Sequence, residues 1–178
     1  YIISSCVISN SSVLKNNDRI FSGNGDDLHS FLISLYHFLK TEYPKFYKMD
    51  NVSKLGFLAS EILIKDEETV KKYQPGEIGI VLTNANSSLD ADEKYFQSVK
   101  EIASPALFVY TLPNIVIGEI CIRNNFKGEN SFFVFENFNA AFIQQYVSDL
   151  FGNNILQLCI CGWVDVLEEN YKTALFLV

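Results

Sequence analysis

The sequence predicts an α/β domain built on a mainly parallel sheet, and three observations carry that prediction. Residues 76–83 (GEIGIVLT) form a continuous apolar run, the pattern of a strand covered on both faces. Apolar runs of strand length alternate along the chain with longer segments whose apolar residues recur at helical spacing, the rhythm of a sheet flanked by helices. The stretch 128–162 (GENSFFVFENFNAAFIQQYVSDLFGNNILQLCICG) then reads as glycine turn, short strand, sharp corner, helix and second buried strand.

Taken in order, residues 1–9 (YIISSCVIS) read as a strand, followed by a polar loop through Asn16, Asn17 and Asp18 and a glycine turn at Gly23 and Gly25. Asp26 and Asp27 are placed to cap a helix whose apolar positions are Leu28, Phe31, Leu32, Leu35, Phe38 and Leu39, with Pro44 as its stop. A second helix is expected over 50–64, then a charged, solvated connection over 65–72, then the buried strand at 76–83. A third helix is expected over 90–102, capped at Ser87 or Ser88, and a fourth over 112–125 with Pro113 in its first turn. A strand with large residues at Phe133 and Phe135 leads to the corner Glu136-Asn137. From there a helix over 138–151 shows almost no polar face, with Phe138, Ala141, Phe142, Ile143, Tyr146, Val147, Leu150 and Phe151 spread around its circumference. A helix apolar all round must be covered on all sides, which a single sheet cannot do. Strands are expected over 155–161, closing on Gly162, and over 172–178, with nine residues between them.

Composition narrows what such a chain can do. At 178 residues, 48% hydrophobic and 20% charged, it has the make-up of a globular domain with one sizeable core. A formal charge of -7 argues against nucleic acid or an anionic membrane surface as a partner, since both require a basic face. No apolar run reaches the ~18 residues of a membrane span, and no leader pattern is evident, so the expected location is cytoplasmic. Cys6, Cys121, Cys159 and Cys161 all sit in apolar segments and read as reduced core thiols. His29 and His37, eight apart on one helix with no third ligand in view, read as surface or capping histidines, and no metal site is expected.

The stretch 128–162 resembles the active-site segment of the β-ketoacyl-acyl-carrier-protein synthases of the thiolase-like superfamily. In that family a glycine turn, strand, catalytic cysteine, helix and Gly-Gly turn follow one another. Laid on the pattern without a gap, Gly128 falls on the turn glycine, Gly162 on the first glycine of the pair and Asn137 on the cysteine. Lys48-Met49-Asp50 with the helix that follows resembles the family's first long helix. Residues 76–82 resemble its second core strand. Residues 104–128 resemble the segment in which a pair such as Pro113-Asn114 precedes a helix packed beside the dimer interface.

The resemblance implies a single domain over 1–178, half of a two-part family architecture, with βαβαβαββ order and a mainly parallel five-stranded sheet flanked by helices. The other half of a family synthase carries the catalytic histidines, and the cysteine position here holds an amide, which is neither acidic nor nucleophilic. The expected role is therefore a non-catalytic subunit like a chain length factor, paired with a synthase in fatty-acid or polyketide type biosynthesis. It would use no cofactor, form a homodimer or a heterodimer with a ketosynthase-like subunit, and have an acyl carrier protein as a further partner. Expected interface residues are Ser131, Phe133, Phe135, Pro113, Asn114, Phe138 and Phe142, with Glu136 and Asn137 as a vestigial or carrier-facing site. Asn137 alternatively does no more than cap the helix that follows it. Two other functions stay open: an enzyme of altered chemistry, such as an acyl-carrier decarboxylase or acyltransferase, and a module that binds acyl groups.

Overall fold

The computed structural model describes residues 1–23 and 27–178. Gly25 and Asp26, read above as part of a turn and a cap, lie outside the described residues.

Seven strands form one sheet in the order β3-β2-β1-β7-β6-β4-β5. In chain order they are β1 (Ser4–Ser9), β2 (Ser12–Lys15), β3 (Asp18–Ser22), β4 (Ile78–Asn84), β5 (Asn130–Val134), β6 (Leu158–Leu167) and β7 (Asn170–Leu177). Among the described residues six α-helices accompany them: α1 (Leu28–Leu39), α2 (Asn51–Ile64), α3 (Leu89–Val99), α4 (Pro105–Phe108), α5 (Ile115–Asn124) and α6 (Ala140–Gly152).

The α/β class stands, but the sheet differs from the expected five mainly parallel strands. β4 runs parallel to both β5 and β6, whereas β1–β2, β2–β3, β1–β7 and β6–β7 are antiparallel. The extra strands come from the segment read as a polar loop. Asn10 and Ser11 (φ 48° and 54°) and Asn16 and Asn17 (φ 51° and 72°) each form a two-residue turn with both residues left-handed. That geometry matches the twist of an antiparallel hairpin, and Asn tolerates it well. The other surplus of antiparallel pairing comes from β6, which does not close at Gly162 but runs on to Leu167 and returns as β7 through Glu168 and Glu169.

Helix ends follow local chemistry. Asp27 accepts the Ser30 N–H at 3.0 Å and starts α1, and Asp50 accepts the Ser53 N–H at 3.0 Å and starts α2. Lys40, left-handed at φ 53°, ends α1 before Pro44, which instead opens a short 3-10 turn over Pro44–Lys48. Pro113 lies outside α5, whose cap position is Asn114.

The sheet separates two apolar layers. Cys6, Ile8, Ile160, Val164, Leu175 and Leu177 point to the face covered by α1, α2 and α5, where the main core lies. α2 is its centre, buried at every position from Val52 to Ser60. Cys159, Cys161 and Val81 point the other way, toward α6, which contributes Ile143, Val147 and Leu150. β4 is buried along its whole length, as a strand between two layers must be.

Candidate functional site

The corner between β5 and α6 is placed by two close backbone approaches. The Gly128 N–H donates to the Ile78 carbonyl at 3.1 Å, and a Cβ on Gly128 would meet that oxygen at 2.5 Å. Only glycine lets the chain turn so close to the start of β4 and run alongside it as β5. At the far end the Phe135 N–H donates to the Asn84 carbonyl at 2.9 Å, one residue beyond the strand. The chain then bends at Glu136 and Asn137, where the sequence places the corner, and both residues are exposed.

The helix cap is Asn139 and not Asn137. Asn139 Oδ1 accepts the Phe142 N–H at 3.0 Å, and α6 begins at Ala140. The capping role expected of Asn137 therefore belongs to the asparagine two residues on. Capping occupies one of the backbone donors that an anion at this corner would use.

α6 is also not apolar all round. Ile143, Val147 and Leu150 are buried, while Gln144, Gln145, Ser148 and Asp149 form an exposed stripe, with Gln145 Nε2 donating to Asp149 at 2.9 Å. Two of its aromatic residues, Phe142 and Tyr146, lie along one flank beside β5. Phe133, Phe135, Phe142 and Tyr146 pack on one another with ring centroids 4.9–6.2 Å apart, and Ser131 Oγ lies 2.9 Å from Tyr146 Oη. Four of the expected interface residues, Ser131, Phe133, Phe135 and Phe142, thus meet at the β5–α6 boundary, each half-buried. Phe138 stands apart against Trp163 at 6.0 Å and is 41% exposed. Pro113 and Asn114 lie on the other side of the sheet, before α5, which packs on α2.

Among the described residues β5 is an edge strand, paired with β4 alone, so its outer backbone groups have no strand partner there. Beside the corner the second face of the sheet is only partly covered. Phe138, Ala140, Ile143, Gln144, Val147, Ser148 and Phe151 from the α6 side face Cys161, Phe176 and Val178 from the sheet across a groove of about 510 Å³, with Tyr1 and Ile2 at its end. Sequence reasoning missed this groove. Its signal was the alternation in 158–167 and 170–177, which puts apolar side chains on both faces of a pair of strands where one helix is too narrow to cover them.

Loop geometry next to the corner is held by Asp165 on β6. Its carboxylate accepts the Ala85 and Asn86 N–H groups, each at 3.0 Å, and the Asn86 side-chain amide at 2.8 Å. Asn84, fully buried, closes the same loop through its side chain, donating to the Ser87 carbonyl at 2.8 Å and accepting the Ser87 N–H at 2.9 Å. The C-terminal ends of parallel strands are where open α/β sheets place their sites, and here that edge gathers Asn84, Asp165 and the Glu136-Asn137 corner.

The histidines, Cys6 and Cys121 lie away from the corner. Both histidines are exposed on α1, which packs against β3 through Phe21. β3 and β5 are opposite edges of the sheet, six strand spacings or roughly 30 Å apart. Cys6 is buried in the main core, its thiol pushed up to about 12 by burial, and Cys121 is raised for the same reason. Among the described residues no cluster of three or more His, Cys, Asp or Glu is placed to hold a metal, and no single helix is long and apolar enough to cross a membrane.

The arrangement is that of the thiolase-like fold, as found in ketosynthase and chain-length-factor chains. Three solved structures carry the comparison. One is the type II polyketide synthase assembly AntDE:AntF, an acyl-carrier protein in complex with its ketosynthase bound to the hexaketide. It is 15% identical over 99% of this chain and 61% of that one, with a TM-score of 0.65. The ishigamide ketosynthase/chain length factor is 14% identical over 99% and 60%, with a TM-score of 0.68. The ketosynthase ApeO in complex with its chain length factor ApeC from Xenorhabdus doucetiae is 12% identical over 99% and 77%, with a TM-score of 0.63. The chain therefore spans about three fifths of the length of the first two. No protein-family model and no curated protein sequence matches it.

Proposed function

We propose that this chain is a non-catalytic, chain-length-factor-like subunit that pairs with a ketosynthase-like subunit in polyketide or fatty-acid type biosynthesis. The observation that carries the reading is the chemistry of the corner. The position that the resemblance assigns to a nucleophile holds an exposed amide, Asn137, and both histidines of the chain lie at the opposite side of the sheet. An amide forms no thioester, and a condensation needs a group to assist decarboxylation and carbon–carbon bond formation. The solved neighbours described as ketosynthase and chain length factor complexes support pairing as the role that remains.

Pairing also answers to the surfaces the chain leaves open. The β5 edge offers unpaired backbone groups for strand addition, and the groove beside α6 exposes Phe138, Phe151, Phe176 and Val178 in one place. Ser131, Phe133, Phe135 and Phe142 then act as the packed support behind the edge strand, with Pro113 and Asn114 flanking the segment before α5. The decarboxylase reading is weaker, because the α6 N-terminus already bears the Asn139 side chain.

The test combines assembly with chemistry. Mixed with a ketosynthase-like subunit from the same cells, the chain should form a stoichiometric complex by size-exclusion with light scattering and should change the length of the acyl product. Alone it should release no carbon dioxide from a malonyl carrier protein. Carbon dioxide release by the isolated chain that disappears in Asn137→Ala, or a monodisperse monomer in the presence of the ketosynthase, overturns the assignment.

A further inference from the structure

A second cleft opens where the three helices of the main-core layer end. The C-terminal ends of α1, α2 and α5 surround about 670 Å³, within the roughly 300–1,000 Å³ of small-molecule sites, and the lining shares no residue with the groove or the corner. Leu39 and Ile64 give it an apolar part. Arg123 on α5 is oriented there by three groups: its guanidinium lies 5.3 Å from the Tyr43 ring, Glu61 accepts from Nε at 3.4 Å and from Nη2 at 3.3 Å, and the Glu42 carbonyl accepts from Nη1 at 3.4 Å. These bonds are longer than the roughly 2.7–2.9 Å of a strong charge-assisted pair and leave further N–H donors free. Lys40 and Lys65 line the same cleft, both exposed, and neither ammonium has a hydrogen bond or ion pair among the described residues. Lys15 joins them by donating to the Lys65 carbonyl at 2.9 Å.

The helix ends, whose free carbonyls would repel an anion, are closed from within the chain. The N–H groups of Lys40, Glu67 and Phe126 donate to the carbonyls of His37, Ile64 and Cys121, each at 3.1 Å. Side chains therefore set the charge of the cleft. Four cations gather around two carboxylates, Glu42 and Glu61, an excess of two positive charges on a chain whose formal charge is -7. We propose that this cleft binds a small phosphate monoester, its phosphoryl oxygens between Arg123, Lys40 and Lys65 and its apolar body against Leu39 and Ile64. Such a group carries about two negative charges near neutral pH, which matches the excess. The planar fork of Arg123 suits two phosphate oxygens at once, and the ammonium groups complete the neutralisation. A ligand held there ties the ends of α1, α2 and α5 together. Nothing in this site depends on the partner proposed above.

Phenyl phosphate, titrated into the intact chain by calorimetry and followed by thermal unfolding, tests this. The expected result is one site per chain with a dissociation constant below about 1 mM, a melting temperature that rises with ligand, and affinity that falls as salt is raised from about 50 to about 500 mM. Inorganic phosphate, which has no apolar body, should bind about tenfold more weakly, and phenol, which has no charge, should not bind. Lys40→Ala and Lys65→Ala alter exposed side chains that hold nothing else in place, so each should weaken binding several-fold while the melting temperature without ligand stays unchanged. Arg123→Lys keeps the charge and loses the fork, and should cost about tenfold in affinity. Glu42→Gln removes a repelling carboxylate and should tighten binding about twofold or more. No binding at about 10 mM phenyl phosphate, equal affinity for inorganic phosphate, or indifference to Lys40→Ala, Lys65→Ala and Glu42→Gln in the folded chain each overturns the assignment.

Discussion

Substituting Asn139 and Asn137 separately by alanine distinguishes the cap of α6 from the corner in front of it. Asn139 Oδ1 accepts the Phe142 N–H at 3.0 Å, and the residue is exposed, so water replaces part of what the side chain supplies. Loss of such a cap costs about 1 kcal/mol, within a range of roughly 0.5–2. For a chain of 178 residues this lowers the melting temperature by about 2–4 °C. Asn137 is exposed at a bend and its side chain has no hydrogen bond among the described residues, so Asn137→Ala should stay within about 0.5 kcal/mol of the parent. Asn139→Asp should hold the cap or strengthen it, because a carboxylate at a helix N-terminus meets the positive end of the macrodipole. Urea unfolding followed by circular dichroism reads all three, with an unchanged slope showing that only stability has moved. If Asn137→Ala cost as much as Asn139→Ala, or the Asn139 substitution were silent, the helix would be capped one turn element earlier. The exposed amide at the corner would then be a structural residue and not the remnant of a site.

Two further outcomes follow from the core. Gly162 sits in the middle of β6 at φ 144°, and a Cβ there would lie 2.1 Å from the Ala174 carbonyl oxygen on β7, so Gly162→Ala should cost at least about 3 kcal/mol, read as a collapse in soluble yield or a large fall in melting temperature; a melting temperature close to the parent's would refute the placement. Lys54 on α2 is 5% exposed with no ion-pair partner among the described residues, its ammonium 5.8 Å from the Phe46 ring. Desolvation, the largest effect, and the like charge of Lys94 lower its pKa, the Asp50 carboxylate opposes them, and Asp90 faces the same cluster through Asp50 and Lys94. A base whose folded pKa is depressed is protonated in the unfolded chain over a window where the folded chain has lost the proton, so its cost is present in full below that window and is relieved as pH rises toward 10.5. Lys54→Met should therefore raise stability at neutral pH and flatten the rise of the urea midpoint between neutral and alkaline pH; an unchanged slope would show that Lys54 is not the group responsible.

Much of the fold was legible because its strongest signals are local. The burial of β4 on both faces was visible as an unbroken apolar run, and the cap of α1 as an aspartate directly before helical spacing begins. What escaped was pairing. Asn10-Ser11 and Asn16-Asn17 are hairpin turns, yet the strands that follow them, β2 and β3, are four and five residues long and mostly half-buried or exposed, so their apolar alternation is faint. β6 was cut short at Gly162 because glycine reads as punctuation. Here it is instead the position where the β7 backbone comes too close for any side chain, which only the partner strand can reveal.

The candidate site shows the same division between spacing and contact. Gly128 and Gly162 fix the register of the stretch between them, and that register brings Asn137 to the corner, where the structure also has its bend. Spacing could not say which asparagine in Glu136-Asn137-Phe138-Asn139 turns its side chain back onto the helix, because that depends on backbone angles beyond the bend. Nor could the count of apolar residues in α6 say how they divide between a buried stripe, an aromatic cluster against β5 and a groove wall. The correction changes the energetics. A helix apolar all round would demand a partner for its stability, whereas α6 already buries Ile143, Val147 and Leu150 and presents Gln144, Gln145, Ser148 and Asp149 to water. The uncovered surface is the groove, where the sheet contributes Phe176, Val178 and Cys161 and the helix contributes one wall. A partner that covers it gains apolar burial from the sheet as well as from the helix. Substitution of Phe176 by a polar residue should therefore weaken assembly, as should substitution of Phe138 or Phe151, since both sides line the groove.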